Sequence, residues 1–290
     1  MDNDKQAHLK DSLGLEQDIQ RILAQQFTRR NTLLLGIGGI TTLLTACGGD
    51  SSSNTSTNST TSTGSSGSSS SGGSTSSTSS CSVIPTETEG PYPADGHVSS
   101  INALTRSGIV RQDITPSLFT STVAQGVALT LAIKLVNTNN NCSALTDYAM
   151  YVWHCDRSGN YSLYSTGLSN EDYLRGVQAS DANGMIYFKT IIPGCYSGRW
   201  PHIHFEIYPN LSVASTYRNQ VKTSQFALPS DICSTVYNNA SGYSASITNL
   251  ASISLSSDNV FSDGYSTQMM SVSGSITDGY TASIVVGISV

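Results

Sequence analysis

The chain has 290 residues, of which only 12% are charged, with a net charge of −6. A sparse charge with an acidic excess excludes the basic face that nucleic acid or an anionic lipid surface would require as partner. No Gly-x-Gly-x-x-Gly or Walker sequence, heptad array or internal repeat is present, so no organic cofactor is implied.

In chain order, the first feature is Thr28-Arg29-Arg30 ahead of an apolar run that ends at Leu44-Thr45-Ala46-Cys47. Residues 31–46 are too few and too rich in Gly and Thr for a membrane-spanning helix, and twin arginines before a short apolar stretch fit a Tat-type export signal. The tetrapeptide ending in Cys47 resembles a bacterial lipobox, whose cysteine is lipidated. Residues 1–46 are therefore expected to be a signal region, with a lipid anchor at Cys47 as the only membrane contact. The protein is then placed in the bacterial cell envelope, periplasmic or at the surface. Residues 47–80 are nearly all Ser, Thr, Gly and Asn and cannot bury enough apolar surface to fold, so they read as a flexible tether.

Residues 81–290 form one candidate domain. Strand patterns recur at 127–136, 148–155, 185–192, 202–208, 252–255 and 282–290. They are punctuated by turn signals at 137–141, 181–184, 262–264 and 277–279. A helix is expected only around 230–237. This alternation predicts an all-β domain, an antiparallel β-sandwich.

The segment Pro193 to Phe205 concentrates the chemistry. His202 and His204 are two residues apart on a predicted strand, so both imidazoles point to one face and can converge on a metal ion. Tyr196 lies just upstream, behind a Pro-Gly turn that folds it back over that face. A phenol with a pKa of about 10 must lose its proton to bind a metal, which favours a hard trivalent cation such as Fe(III) over Zn(II) or Cu(I).

Several segments in this order resemble the intradiol ring-cleavage dioxygenases, the family of catechol and protocatechuate dioxygenases. They are Thr86-Glu87-Thr88-Glu89-Gly90-Pro91-Tyr92, Trp153-His154-Cys155-Asp156 with Gly159-Asn160-Tyr161-Ser162, and Leu174-Arg175-Gly176. They continue with Asp181-Ala182-Asn183-Gly184, Pro193-Gly194-Cys195-Tyr196 and Arg199-Trp200-Pro201-His202-Ile203-His204-Phe205. The similarity spans about 81–230. It implies a non-haem Fe(III) held by Tyr161, Tyr196, His202 and His204, with Arg199 facing the substrate ring. It also implies that Tyr196 leaves the metal as substrate binds, and that a pocket glutamine, Gln225 rather than Gln220, lines the same site. The implied reaction cleaves a catechol-type ring between its two hydroxylated carbons with O2, giving a muconate-type diacid. Two departures stand out: the helical N-terminal dimerisation segment of the catechol dioxygenases is missing, and the last fifty residues exceed the family core, where a hairpin is expected.

Other residues of these motifs carry blander expectations. His154 reads as a packed, hydrogen-bonded histidine, Arg175 as an anchor for a loop carboxylate, and Asp156 and Asp181 as turn formers. Tyr92 is either a lid over the pocket mouth or a buried aromatic. Beyond Cys47 five cysteines remain, so at least one thiol is unpaired within the chain. Cys155 and Cys195 are candidates for a bridge bracing the site or for soft ligands. Two other classes of function stand beside the dioxygenase: a non-catalytic transthyretin-like binding module, and a copper or zinc enzyme built on His202 and His204.

Overall fold

The structure, a computed structural model, describes residues 81–290. The expected signal region and tether lie outside the described residues. Among the described residues no helix is long and apolar enough to cross a membrane.

Nine strands form two sheets. The first contains β1 (Ala128–Asn137), β2 (Ser143–Ala144), β5 (Met185–Ile191), β8 (Ser271–Ser275) and β9 (Gly279–Ile288); the second has the order β4 (Arg175–Ala179), β3 (Ala149–Trp153), β6 (His202–Tyr208), β7 (Lys222–Ala227). The sheets pack face to face because each strand buries alternate apolar residues. Leu129, Leu131, Ile133 and Leu135 of β1 and Ile284 and Val286 of β9 meet Met150, Val152, Ile203, Phe205 and Phe226 in one cluster. Each such side chain contributes about 1.5–3 kcal/mol on burial.

The sandwich agrees with the sequence pattern, with corrections. β1 and β9 pair in parallel from Leu129↔Tyr280 to Asn137↔Ile288, so the first sheet is mixed rather than purely antiparallel. Residues 252–255 are not a strand but the turn that follows a helix, since Ser252 caps Ser244–Ala251 (α2) by donating its N–H to Asn249 O and Leu250 O. The helix expected near 230–237 is present as α1 (Ser230–Asn239). Strand β7 and helix α2 have no clear periodic signature in the sequence. The expected C-terminal hairpin is β8–β9.

One disulfide, Cys81–Cys142, joins the start of the domain to the β1–β2 turn, and Cys155, Cys195 and Cys233 are free and buried. A bridge between Cys155 and Cys195 is therefore not formed. Their thiols instead donate to Gly194 O and Arg199 O.

Candidate metal centre

The second sheet has an outward face, and the site is built on it. β6 runs between β3 and β7, in register Trp153↔His204 and His204↔Gln225. Because strand side chains alternate, Ile203, Phe205 and Ile207 enter the core while His202 and His204 face outward. This face is nevertheless covered. Both histidines are about 2% exposed, beneath loops that carry Tyr161, Tyr196 and the 86–97 segment.

Two glycines let the tyrosine loops meet. Gly159 has φ +86°, and a Cβ on it would sit 3.1 Å from Cβ of Tyr196. A Cβ on Gly194 would meet Arg157 O at 2.7 Å and Asp156 O at 2.9 Å, so only glycine lets these backbones approach. Asp156 closes the first loop, its Oδ1 accepting from Ser158 N at 2.8 Å and Asn160 N at 3.0 Å. The backbone N–H of Gly194 then donates to Asp156 O at 3.0 Å, tying the two loops together.

Four donor atoms consequently converge. Tyr161 Oη lies 3.5 Å from Tyr196 Oη and 3.4 Å from His202 Nε2. Tyr196 Oη lies 3.2 Å from His202 Nε2, which is 3.0 Å from His204 Nε2. His202 Nδ1–H donates to Trp200 O at 2.5 Å, which turns the Nε2 lone pair toward the phenols. His204 is stacked on Trp153, with ring centroids 5.0 Å apart and planes 6° from parallel.

Burial sets the protonation states. It lowers His202 to about 3, with the Arg199 charge adding to the effect, and holds His204 well below the ordinary imidazole value, with His202 as the second cause. Both imidazoles are thus neutral and offer lone pairs. Burial also raises Tyr161 well above 10 and Tyr196 to about 12. One buried and one half-buried phenol and two neutral imidazoles in mutual contact, without a thiolate, suit a hard, highly charged cation able to displace the phenolic protons. The donor set therefore fits Fe(III).

Arg199 reaches the same face. Its Nε donates to Asp258 Oδ2 at 3.0 Å and its Nη2 to Gln225 Oε1 at 2.6 Å, while Gln225 Nε2 donates to Thr88 O at 2.8 Å. Gln225 is fully buried beside Arg199; Gln220 lies apart, its Oε1 accepting from Thr223 Oγ1. Asp258, not singled out by any motif, also accepts from Trp200 N at 2.7 Å. Burial pushes its carboxyl up, but the N–H groups of Trp200 and Val260 and the charge of Arg199 outweigh that and hold it below its usual value. Nothing in the spacing marks this residue, which comes from the C-terminal extension.

The remaining motif residues are structural. His154 lies beyond β3, donating from Nδ1 to Cys155 O at 2.8 Å and accepting at Nε2 from Thr190 Oγ1 at 2.6 Å. Arg175 anchors no carboxylate; it donates instead to Pro93 O, Ser162 O and Ser162 Oγ. Asp181 forms the expected turn by accepting from Asn183 N and Met185 N. Tyr92 is 36% exposed and packs at a tilt against Tyr161 and Tyr164, with centroids 4.8 and 5.2 Å away, at the edge of the site.

An intradiol ring-cleavage dioxygenase from Tetranychus urticae matches the chain with a TM-score of 0.56 at 22% identity, over 72% of this chain and 95% of that one. A second solved dioxygenase matches with a TM-score of 0.54 at 22% identity over the same shares. The fold is that of the intradiol ring-cleavage dioxygenases. No family model and no curated protein matches the chain.

Proposed function

We propose that this chain is an intradiol dioxygenase that cleaves a catechol-type ring between its hydroxylated carbons with O2, giving a muconate-type diacid. The observation that carries the reading is the convergence of Tyr161, Tyr196, His202 and His204, with successive donor atoms 3.0–3.5 Å apart, on the intradiol fold. These four side chains would hold a non-haem Fe(III). When bound, that ion supplies the Lewis acidity that draws electron density from a catecholate and readies the ring for O2.

The chain's own groups do the rest. His202 and His204, neutral and fixed by Trp200 O and the Trp153 ring, bind without releasing protons. Tyr196 is the less buried of the two phenols. Held as a tyrosinate, its Oη would take one catechol hydroxyl proton and become the neutral phenol, the form that burial favours. Arg199, immobilised by Asp258 and Gln225, presents a fixed cation to the anionic ring. Tyr92 narrows the mouth and limits water. Residues 1–46 serve export and Cys47 the lipid anchor in this reading.

The test is turnover. Iron-loaded protein supplied with a panel of catechols should consume O2 and form the ring-opened diacid in equal amounts. Tyr161→Phe should abolish the product. Loaded protein that binds catechols yet yields no ring-opened product would overturn the reading in favour of a binding module.

A further inference from the structure

Beside the four-donor site lies a second group of oxygen ligands. Glu206 follows His204 by two residues on β6 and so shares its face. Ligand oxygens of Glu89, Asp95 and Glu206 all lie within 4.8 Å of one another, and Asp95 and Glu206 are fully buried. Each carboxylate has one oxygen or contact accounted for. Tyr208 Oη–H donates to Glu206 Oε2 at 2.6 Å, His97 N–H donates to Asp95 Oδ1 at 2.9 Å, and His97 Nδ1 meets Glu89 Oε1 at 2.5 Å.

The other oxygens of the two buried carboxylates, Asp95 Oδ2 and Glu206 Oε1, are buried without any hydrogen-bond partner. Among the described residues, no lysine or arginine forms an ion pair with any of the three; the recorded pairs are His97–Glu89, Arg106–Asp172 and Arg199–Asp258. Buried, unpaired carboxylate oxygens are rare unless a cation or a proton satisfies them.

We propose that Glu89, Asp95 and Glu206 form a binding site for a hard divalent cation such as Ca²⁺. All the donors are carboxylate oxygens, which select hard ions. Ligand oxygens that all lie within 4.8 Å of one another are close enough for one such ion to bridge all three side chains. Entry is from the side of Glu89, whose side chain is 13% exposed.

The consequence is mechanical. Glu89 and Asp95 bracket Gly90 and Tyr92, and a Cβ on Gly90 would lie 3.2 Å from His204 Cε1. An ion here fastens the 89–95 segment to β6 directly over the histidine pair. The site stands on these oxygens alone and does not depend on ring cleavage.

The experiment titrates Ca²⁺ into the full-length chain and follows its melting temperature, with Tb³⁺ as a luminescent probe excited through Tyr208. Ca²⁺ should raise the melting temperature saturably and quench Tb³⁺ emission by competition. Glu206→Gln and Glu89→Gln should each weaken Ca²⁺ binding at least about tenfold. Glu89 lies at the rim, so its variant keeps the test decisive if the buried Glu206→Gln fails to fold. No saturable effect up to about 10 mM Ca²⁺, an order above the weakest extracellular sites, would mean that Asp95 and Glu206 share a proton instead. Ca²⁺ binding unchanged in Glu89→Gln would place the ion elsewhere. Either result overturns the proposal.

Discussion

Asp258 holds Arg199 across 59 residues of sequence: its Oδ2 accepts from Arg199 Nε at 3.0 Å and from Trp200 N at 2.7 Å. With Nη2 given to Gln225, two of the three guanidinium nitrogens are committed to the protein. The side chain is thereby oriented before any ligand arrives. Asp258→Asn removes the charge and replaces one of two accepting oxygens with an N–H donor, and a hydrogen bond to a charged group is worth about 1.5–3 kcal/mol. Catechol turnover by the iron-loaded variant should fall by roughly tenfold to a hundredfold. If Asp258 acts through Arg199, the double variant Asp258→Asn/Arg199→Ala should be no worse than Arg199→Ala alone. Losses that simply multiply would contradict this account.

Gly194→Ala should separate the two tyrosine loops. The added methyl has backbone oxygens of Arg157 and Asp156 within 3 Å, and backbone does not yield as a side-chain tip does. A destabilisation of about 1–3 kcal/mol is expected from such overpacking, measured by urea denaturation. The bound iron per chain should fall with it. A variant of native stability that binds iron normally would show that the loops have slack.

His154 provides a pH signature. Burial lowers its pKa to about 4, against about 6.5 in the unfolded chain, so the unfolded state binds more protons between those values. Its contribution to stability is complete above pH 6.5 and is lost as pH falls toward 4. That amounts to about 3 kcal/mol at about 1.4 kcal/mol per unit. His154→Gln lacks this titration. The stability gap between wild type and variant should therefore narrow by about that amount from pH 7 to pH 4. A gap independent of pH would show that His154 is not buried as a neutral base.

The Cys81–Cys142 bridge closes a loop of 61 residues at the edge of the first sheet. On the chain-entropy account, replacing both cysteines by serine costs about 4 kcal/mol. Thermal denaturation with and without reductant should reproduce the loss in the wild type only. The site lies on the other sheet, so iron binding at low temperature should survive.

Much of this was legible in the sequence because it is local. The i, i+2 spacing of His202 and His204 fixes their common face whatever the sheet around them, and the Pro193-Gly194 turn returns Tyr196 to it. The long apolar alternation of β1 and β6 likewise identifies the sandwich. What was not legible depends on distant partners. Asp258 gains its role only when the C-terminal extension packs on Trp200, and the parallel pairing of β1 with β9 is a matter of topology that strand periodicity does not encode. Strand β7 was obscured by its polar Lys222-Thr223-Ser224-Gln225, residues whose burial comes from neighbouring loops. The residues 252–255 show the opposite failure: alternation of Ile and Ser mimics a strand where capped helix α2 has just ended.

The central claim is that two phenols and two imidazoles hold one ferric ion that catechol can reach. Its most direct test is the visible absorption spectrum of the iron-loaded full-length chain, taken with iron analysis before and after adding a catechol. The account predicts a reddish tyrosinate-to-Fe(III) band at one iron per chain, a shift of that band on adding catechol, and loss of colour when Tyr161 and Tyr196 are both replaced by phenylalanine. A protein that binds iron without colour, or whose band is unchanged in the double Phe variant, would contradict it.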